Sequence, residues 1–99
     1  MPVYLKVYNI DREVLVAVAD EDCVGKKFTD EQVSLDVSKD FYGTRHADHD
    51  EIVSALQEAT IANIVGKESV ALAVENGFIN FEDVIFVEDV PHAQMILCA

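Results

Sequence analysis

The sequence predicts a two-layer α+β domain in which two helices lie on one face of a mainly antiparallel sheet. Three observations lead to this prediction: strand-like alternation dominates the first third of the chain, two helical segments follow in succession, and short apolar segments close the chain. The resulting order, β-β-β-α-α-β-β, favours helices laid on one side of the sheet. With 99 residues and 51% hydrophobic content, positions 1–99 suffice for a single domain with a modest core.

The first two strands are expected to form a hairpin. Val3, Leu5 and Val7 alternate with more polar residues, which is the period of a strand with one buried face. Residues 9–12 supply turn chemistry, and residues 14–19 are apolar on both faces, which favours a central strand.

A third strand is predicted near an edge of the sheet. The acidic residues 20–22 end the second strand, and residues 25–28 continue as an irregular loop. Residues 33–37 then alternate between apolar and polar side chains, and residues 41–43 close the strand with a turn in which Gly43 takes a positive φ.

Two helices are predicted next, joined by a glycine turn. Asp48 or Asp50 can cap a first helix that runs to Val65 and stops at Gly66. Residues 67–75 form a second, shorter helix that ends at an Asn-Gly pair. Residues 84–87 then form a fourth strand, and residues 95–97 add a short fifth after an interruption at positions 90–91.

Asn63 stands out in this scheme because the four/three/four spacing of the stripe Ile52, Leu56, Ala59, Asn63 places it on the core-facing side of the first helix. An amide in such a place is costly unless it is hydrogen-bonded. Asn63 is therefore expected either to tie the helix to a neighbouring backbone or to reach a small pocket.

The net charge of −12, from 19 acidic and 7 basic residues, is spread over the whole length and describes a solvated acidic shell. We interpret it as adaptation to a salty cytoplasm, where concentrated salt screens the self-repulsion, with a mesophilic domain of chance acidity as the alternative. Direct nucleic-acid binding is not expected, because phosphate neutralisation needs several cations and only Lys26 and Lys27 form an adjacent pair.

The sequence also predicts a cytoplasmic protein. Its first residues lack the pattern of a signal peptide, and no apolar stretch approaches the length needed to cross a bilayer. Cys23 and Cys98 lie far apart without metal-type spacing and are expected to be reduced thiols, although the sequence leaves a bridge between them open.

No catalytic constellation stands out, and we predict no metal or cofactor. Residues 46–51 are rich in metal-ligand types, but their carboxylates are better used as helix caps. The acids next to Cys23 should raise its thiol pKa and keep it unreactive. His92 follows a proline, and Glu88 and Asp89 are expected to raise its pKa; alternatively, it bonds a carbonyl in a loop. The Tyr42 ring is expected in the core, with its hydroxyl at the rim.

Four segments together resemble the archaeal Domain of Unknown Function 424 family over nearly the whole chain. They are Gly25-Lys26, Phe41-Tyr42-Gly43, Ala59-Thr60-Ile61-Ala62-Asn63-Ile64-Val65-Gly66 with Val70, and Val90-Pro91-His92-Ala93. The resemblance implies a small, stand-alone cytoplasmic protein with no assigned activity. It also implies an association with translation, through gene neighbours such as the beta subunit of archaeal initiation factor two.

Two hypotheses about function follow. The first is a non-catalytic module that binds a protein partner, a translation initiation factor or ribosome component, through the surface around Lys26, Tyr42 and His92. The second is a small-molecule or enzymatic site where Asn63 orients a ligand and His92 acts as acid or base. The sequence leaves the partner's identity and the oligomeric state open, including a homo-oligomer.

Overall fold

The computed structural model describes residues 2–97, which form a six-stranded sheet, a small two-stranded sheet and three helices. The strands are β1 (Val3–Ile10), β2 (Glu13–Asp20), β3 (Lys27–Thr29), β4 (Ser34–Asp36), β5 (His46–Ala47), β6 (Ile61–Val65), β7 (Ile85–Val87) and β8 (Val90–Ile96). The helices are α1 (Lys39–Tyr42), α2 (His49–Glu58) and α3 (Lys67–Glu75), with 3₁₀ turns at Glu21–Cys23 and Phe81–Asp83.

The large sheet has the strand order β5-β1-β2-β6-β8-β7. Only the β2–β6 pair among these strands is parallel, and the remaining pairs are antiparallel. The predicted α+β class with a mainly antiparallel sheet is therefore confirmed, as is the β1–β2 hairpin, which closes through Asp11 and Arg12.

The helices α2 and α3 pack against one face of the sheet, as predicted. Alternate residues of the central strands form the sheet side of this core, and apolar residues of both helices form the other side. Its buried members are Val3, Leu5, Val16, Val18, Ile52, Leu56, Ala59, Ala62, Ile64, Val70, Ala73, Ile79 and Ala93.

A small layer covers part of the opposite face of the sheet. It consists of the β3–β4 hairpin and α1, and it buries a second core made of Ala17, Ala19, Cys23, Leu35, Val37, Tyr42, Val65 and Val87. The side chain of Glu88 ties this layer to the β7–β8 turn, since the Thr29 amide donates to its Oε2 at 2.6 Å. Helix α1 of this layer has a single turn and is capped by Ser38.

The predicted first helix is wrong in its second half. Helix α2 starts after Asp48, which caps it as predicted, but it ends at Glu58, and Ile61–Val65 is the strand β6. Apolar Ile52 and Leu56 do share the buried face of α2, and the apparent continuation of their spacing to Asn63 is a coincidence. Three of the five residues from Ile61 to Val65 are β-branched, which favours a strand, and the parallel pairing with β2 fixes it there.

The C-terminal strand is longer than predicted. It runs without interruption from Val90 to Ile96, and Pro91 fits near its start, where the position opposite is Phe86 of β7. Cys98 lies outside the described residues, so the question of a bridge to Cys23 does too. Within residues 2–97, no helix is long and apolar enough to cross a membrane.

Candidate functional site

Asn63 lies on the face of the sheet away from α2 and α3, and not on a helix. It is half-buried in β6, directly opposite Gln94 of β8. The Gln94 amide donates to Asn63 Oδ1 at 2.9 Å, so the carboxamide forms a cross-strand pair. The expectation of an amide inside a helix interface is therefore wrong.

His92 lies on the same face one row away, opposite Val65. Its Nδ1 is 3.0 Å from the carbonyl oxygen of Ile64, which makes Nδ1 the protonated nitrogen of the neutral ring. Burial lowers the pKa of His92, and the hydrogen bond to Ile64 opposes this only in part. The expected increase of its pKa by Glu88 and Asp89 is therefore wrong, and the alternative of a carbonyl bond describes this histidine better.

Tyr42 is a core residue, as expected for its ring. It is 3% exposed and packs edge-to-face on Phe41, with ring centroids 4.9 Å apart. Burial raises the pKa of its hydroxyl to about 12. Its contribution to a docking surface is accordingly small.

Lys26 is exposed in the segment before β3, where its amide bonds the Cys23 carbonyl. The Cys23 thiol is buried, and burial together with Asp22 and Asp20 raises its pKa to about 11, although Lys26 opposes the shift. Lys26 and Tyr42 thus belong to the small layer, whereas His92 lies on the large sheet between β6 and β7.

An apolar groove between α3 and β7 was missed from the sequence. It has a volume of about 300 Å³ and is lined by Lys67, Val70, Ala71, Val74, Glu75, Phe81, Val84, Phe86 and Pro91. Phe81 is 67% exposed and Phe86 is 53% exposed, which is unusual for aromatic side chains outside a binding surface. We call this feature the α3–β7 groove.

The groove joins three elements that the chain brings together at one end of the sheet. Phe86 and Pro91 are directly opposite each other on β7 and β8, and α3 supplies the facing wall. Phe81 stands at the rim, in the 3₁₀ turn that leads into β7. The sequence shows an apolar segment at 84–87, but only the short β7 edge and the tertiary packing reveal that its side chains are exposed.

Charged residues are few in the lining of the groove. Glu75 and Lys67 belong to it, so it carries one carboxylate and one ammonium around an apolar floor. Glu82 and Asp83 follow Phe81 in the 3₁₀ turn and are exposed. The apolar floor favours a ligand with an apolar anchor.

The N-terminus of α3 is fixed by a carboxylate from a neighbouring strand. Asp20, at the end of β2, is 3% exposed. Its oxygens accept from the Glu68 amide at 3.0 Å, the Ser69 amide at 2.9 Å and the Ser69 hydroxyl at 2.7 Å. Gly66 precedes the helix with φ 106° and ψ 158°, and a Cβ there would lie 2.6 Å from Asp20 Oδ2. We call this arrangement the α3 cap; it holds one wall of the groove in place.

Within residues 2–97, no group of three or more histidine, cysteine or acidic side chains is placed to hold a metal ion. In the segment that is rich in metal-ligand types, His46 instead bonds Glu21 at 2.6 Å and stacks on Tyr4. Asp48 is used as the cap of α2.

Comparison with known proteins agrees with the resemblance found in the sequence motifs. A family model described as "Protein of unknown function (DUF424)" matches residues 8–97. The chain belongs to this family. The crystal structure of an uncharacterized conserved protein from Methanopyrus kandleri is similar, with 26% sequence identity and a TM-score of 0.81 over 100% of this chain and 95% of that chain. No match was found among curated proteins.

Proposed function

We propose that this protein is a non-catalytic interaction module that binds a protein partner through the α3–β7 groove. The observation that supports this is the exposure of Phe81 and Phe86 around an apolar cavity of about 300 Å³. That volume lies at the lower end of the range for small-molecule sites, and it suits one or two inserted side chains of a protein partner.

The partner's contact segment should be basic and should carry a large aromatic or aliphatic anchor. The apolar floor provides burial for the anchor, and the Glu75 carboxylate of the lining attracts a Lys or Arg side chain beside it. The net charge of −12 likewise favours a basic contact segment over an acidic one.

We propose further that the partner is a translation initiation factor or ribosome component and that the protein acts in the cytoplasm. The support for this is the family resemblance with its implied gene neighbours. Ribosomal proteins and initiation factors also commonly carry basic segments that contact RNA phosphates, which suits an acidic binding surface.

The α3–β7 groove has better support than the two sites expected from the sequence. The surface around Lys26, Tyr42 and His92 includes a buried tyrosine. At the alternative site for a small molecule or an enzymatic reaction, Asn63 and His92 already have hydrogen-bond partners within the protein.

The experiment is an affinity comparison with purified candidates, namely the beta subunit of initiation factor two and ribosomal subunits. Phe81→Ala should weaken binding about 10- to 30-fold, as expected when a large aromatic side chain is removed from an interface. Ile96→Ala is the matched control, because Ile96 is also 67% exposed but lies on a different part of the surface. If the wild-type chain binds none of the candidates, the translation assignment is wrong; if it binds and Phe81→Ala has no effect, the groove assignment is wrong.

A further inference from the structure

The strand β7 forms one edge of the large sheet, at the border of the α3–β7 groove. It follows β8 in the strand order, and within residues 2–97 no further strand lies beside it. Two of its three side chains are exposed, since Ile85 is 45% exposed and Phe86 is 53% exposed. The open edge of a strand presents unpaired backbone groups, which are templates for pairing with another chain.

The backbone N–H and C=O groups of Phe86 point to this open edge. Phe86 lies opposite Pro91, which has no N–H group. The Pro91 carbonyl accepts from the amide of Gly66, which follows β6 on the other side of β8, at 2.9 Å. The Phe86–Pro91 pair is therefore a non-hydrogen-bonded pair of the β7–β8 ladder. Because successive residues of an antiparallel strand bond on alternate sides, the two neighbours of Phe86 bond β8 and Phe86 itself faces outward.

The side chain of Phe86 points to the same face of the sheet as α3, where it lines the groove with Val70 and Val74. Directly opposite residues of paired strands have their side chains on the same face, with Cβ atoms about 4.5–5.5 Å apart. A residue that pairs with Phe86 from outside would therefore place its side chain beside the Phe86 ring, over the apolar floor. One position of β7 thus offers both main-chain bonds and a site for an apolar anchor.

Acidic residues stand at both ends of β7. Glu82 and Asp83 precede the strand, and both are exposed. Glu88 and Asp89 follow it and are exposed too, and Glu88 accepts from the Thr29 amide. No ion pair within residues 2–97 includes one of these four carboxylates. Lys or Arg side chains on an added strand would meet complementary charge at either end of β7.

We propose that the partner segment of the α3–β7 groove binds in an extended conformation, as an antiparallel strand added to the edge of β7. This inference rests on the proposed function of the groove and specifies the segment: an apolar anchor opposite Phe86, with Lys or Arg about two to four positions away on both sides. The anchor residue donates its N–H to the Phe86 carbonyl, and its own carbonyl accepts from the Phe86 N–H. In this mode of recognition, main-chain bonds supply affinity and side-chain pockets supply specificity.

The test is a titration of the isotope-labelled chain with the synthetic peptide KTKTLTKTK, followed by nuclear magnetic resonance at a fixed KCl concentration. The matched control is the same peptide with an N-methyl group on the leucine amide, which keeps the charge and the anchor but removes the donor to Phe86. We expect the signals of residues 84–88 to shift, and the N-methylated peptide to bind at least about 10-fold more weakly. Equal affinities of the two peptides, shifts confined to other residues, or no binding at millimolar peptide overturn the proposal.

Two variants of the chain test the same backbone pairing from the other side. Phe86→Ala removes the ring only, whereas Phe86→Pro also removes the outward N–H group, which is a change that an edge strand tolerates. Provided that both are folded by circular dichroism, Phe86→Pro should bind the peptide at least about 5-fold more weakly than Phe86→Ala does. Equal binding by the two variants contradicts strand addition. If Phe86→Pro does not fold, the N-methylated peptide decides the matter with the wild-type chain.

The same measurements separate strand addition from the function of the groove. If Phe81→Ala weakens the binding of a translation component while Phe86→Pro and Phe86→Ala bind it equally, the groove holds its partner without an added strand, and only strand addition is wrong. If both backbone changes weaken peptide binding as expected while no translation component binds, strand addition stands and the translation assignment is wrong.

Discussion

The α3 cap makes Gly66 the position where the addition of a single methyl group should be most damaging. Its φ of 106° and ψ of 158° lie in a region that is almost exclusive to glycine. Gly43, with φ 76° and ψ −166°, occupies the same region and is the matched control. A Cβ at Gly43 meets the flexible Lys6 side chain at 3.3 Å, whereas a Cβ at Gly66 overlaps the Asp20 carboxyl group.

The expected magnitudes follow from this difference. Both Gly43→Ala and Gly66→Ala incur the conformational cost of the glycine region, about 1–3 kcal/mol. Gly66→Ala must also displace the Asp20 carboxylate, which removes a helix cap and leaves buried donors of Glu68 and Ser69 unpaired. This second loss is about 2 kcal/mol. We therefore expect Gly66→Ala to destabilise the chain by about 2 kcal/mol more than Gly43→Ala does.

The assay is urea unfolding followed by circular dichroism at a fixed KCl concentration. With a slope of about 1 kcal/mol per molar urea for a domain of this size, the midpoint of Gly66→Ala should lie about 2 M below that of Gly43→Ala. The Asp20→Asn variant tests, in the same assay, how much the carboxylate itself contributes to the α3 cap. Its amide NH₂ group would face a backbone donor of α3, so we expect a loss of about 2 kcal/mol without any added volume. Equal midpoints for the two glycine variants, or an Asp20→Asn variant as stable as the wild type, would refute the reasoning.

Three further predictions concern the thiol, the histidine and salt. In a Cys98→Ser chain, Cys23 should react with a thiol reagent at least about 10-fold more slowly than a free cysteine, because a pKa of about 11 reduces the thiolate population; a rate equal to that of free cysteine contradicts this. The lowered pKa of His92 keeps stability intact above about pH 6.5 and reduces it as the pH falls through the folded-state pKa. His92→Gln should therefore flatten the stability profile below about pH 6.5, and an unchanged profile contradicts this. Raising KCl from about 0.1 to 1 M should increase the urea midpoint, as screening relieves the acidic shell; an unchanged or lower midpoint speaks against adaptation to salt.

Most of the fold was predictable because the local patterns agree with the tertiary structure. The alternation in β1, the two-sided apolar character of β2 and the capping residue Asp48 each specify their element. The second helix is also as predicted, at Lys67–Glu75. These segments have the periodicity of their element and clear signals at their ends.

The prediction of the first helix failed where both the helical and the strand pattern fit the same residues. Ile61–Val65 continues the spacing of α2 and also has the β-branched composition of a strand, and the parallel pairing with β2 that decides between them is a long-range contact. The α3 cap could not be predicted from the sequence either, because Asp20 and Ser69 lie 49 residues apart in the sequence. The groove could not be predicted either, since exposure of Phe81 and Phe86 depends on which strand lies at the edge of the sheet.

Hydrogen–deuterium exchange of the chain with and without a bound translation component tests the central claim most directly. The α3–β7 groove predicts slower amide exchange in residues 67–75 and 81–91 in the complex, and the Phe81→Ala variant should lose this protection together with its affinity. Protection confined to other parts of the chain, with residues 67–75 and 81–91 unchanged, would contradict the account.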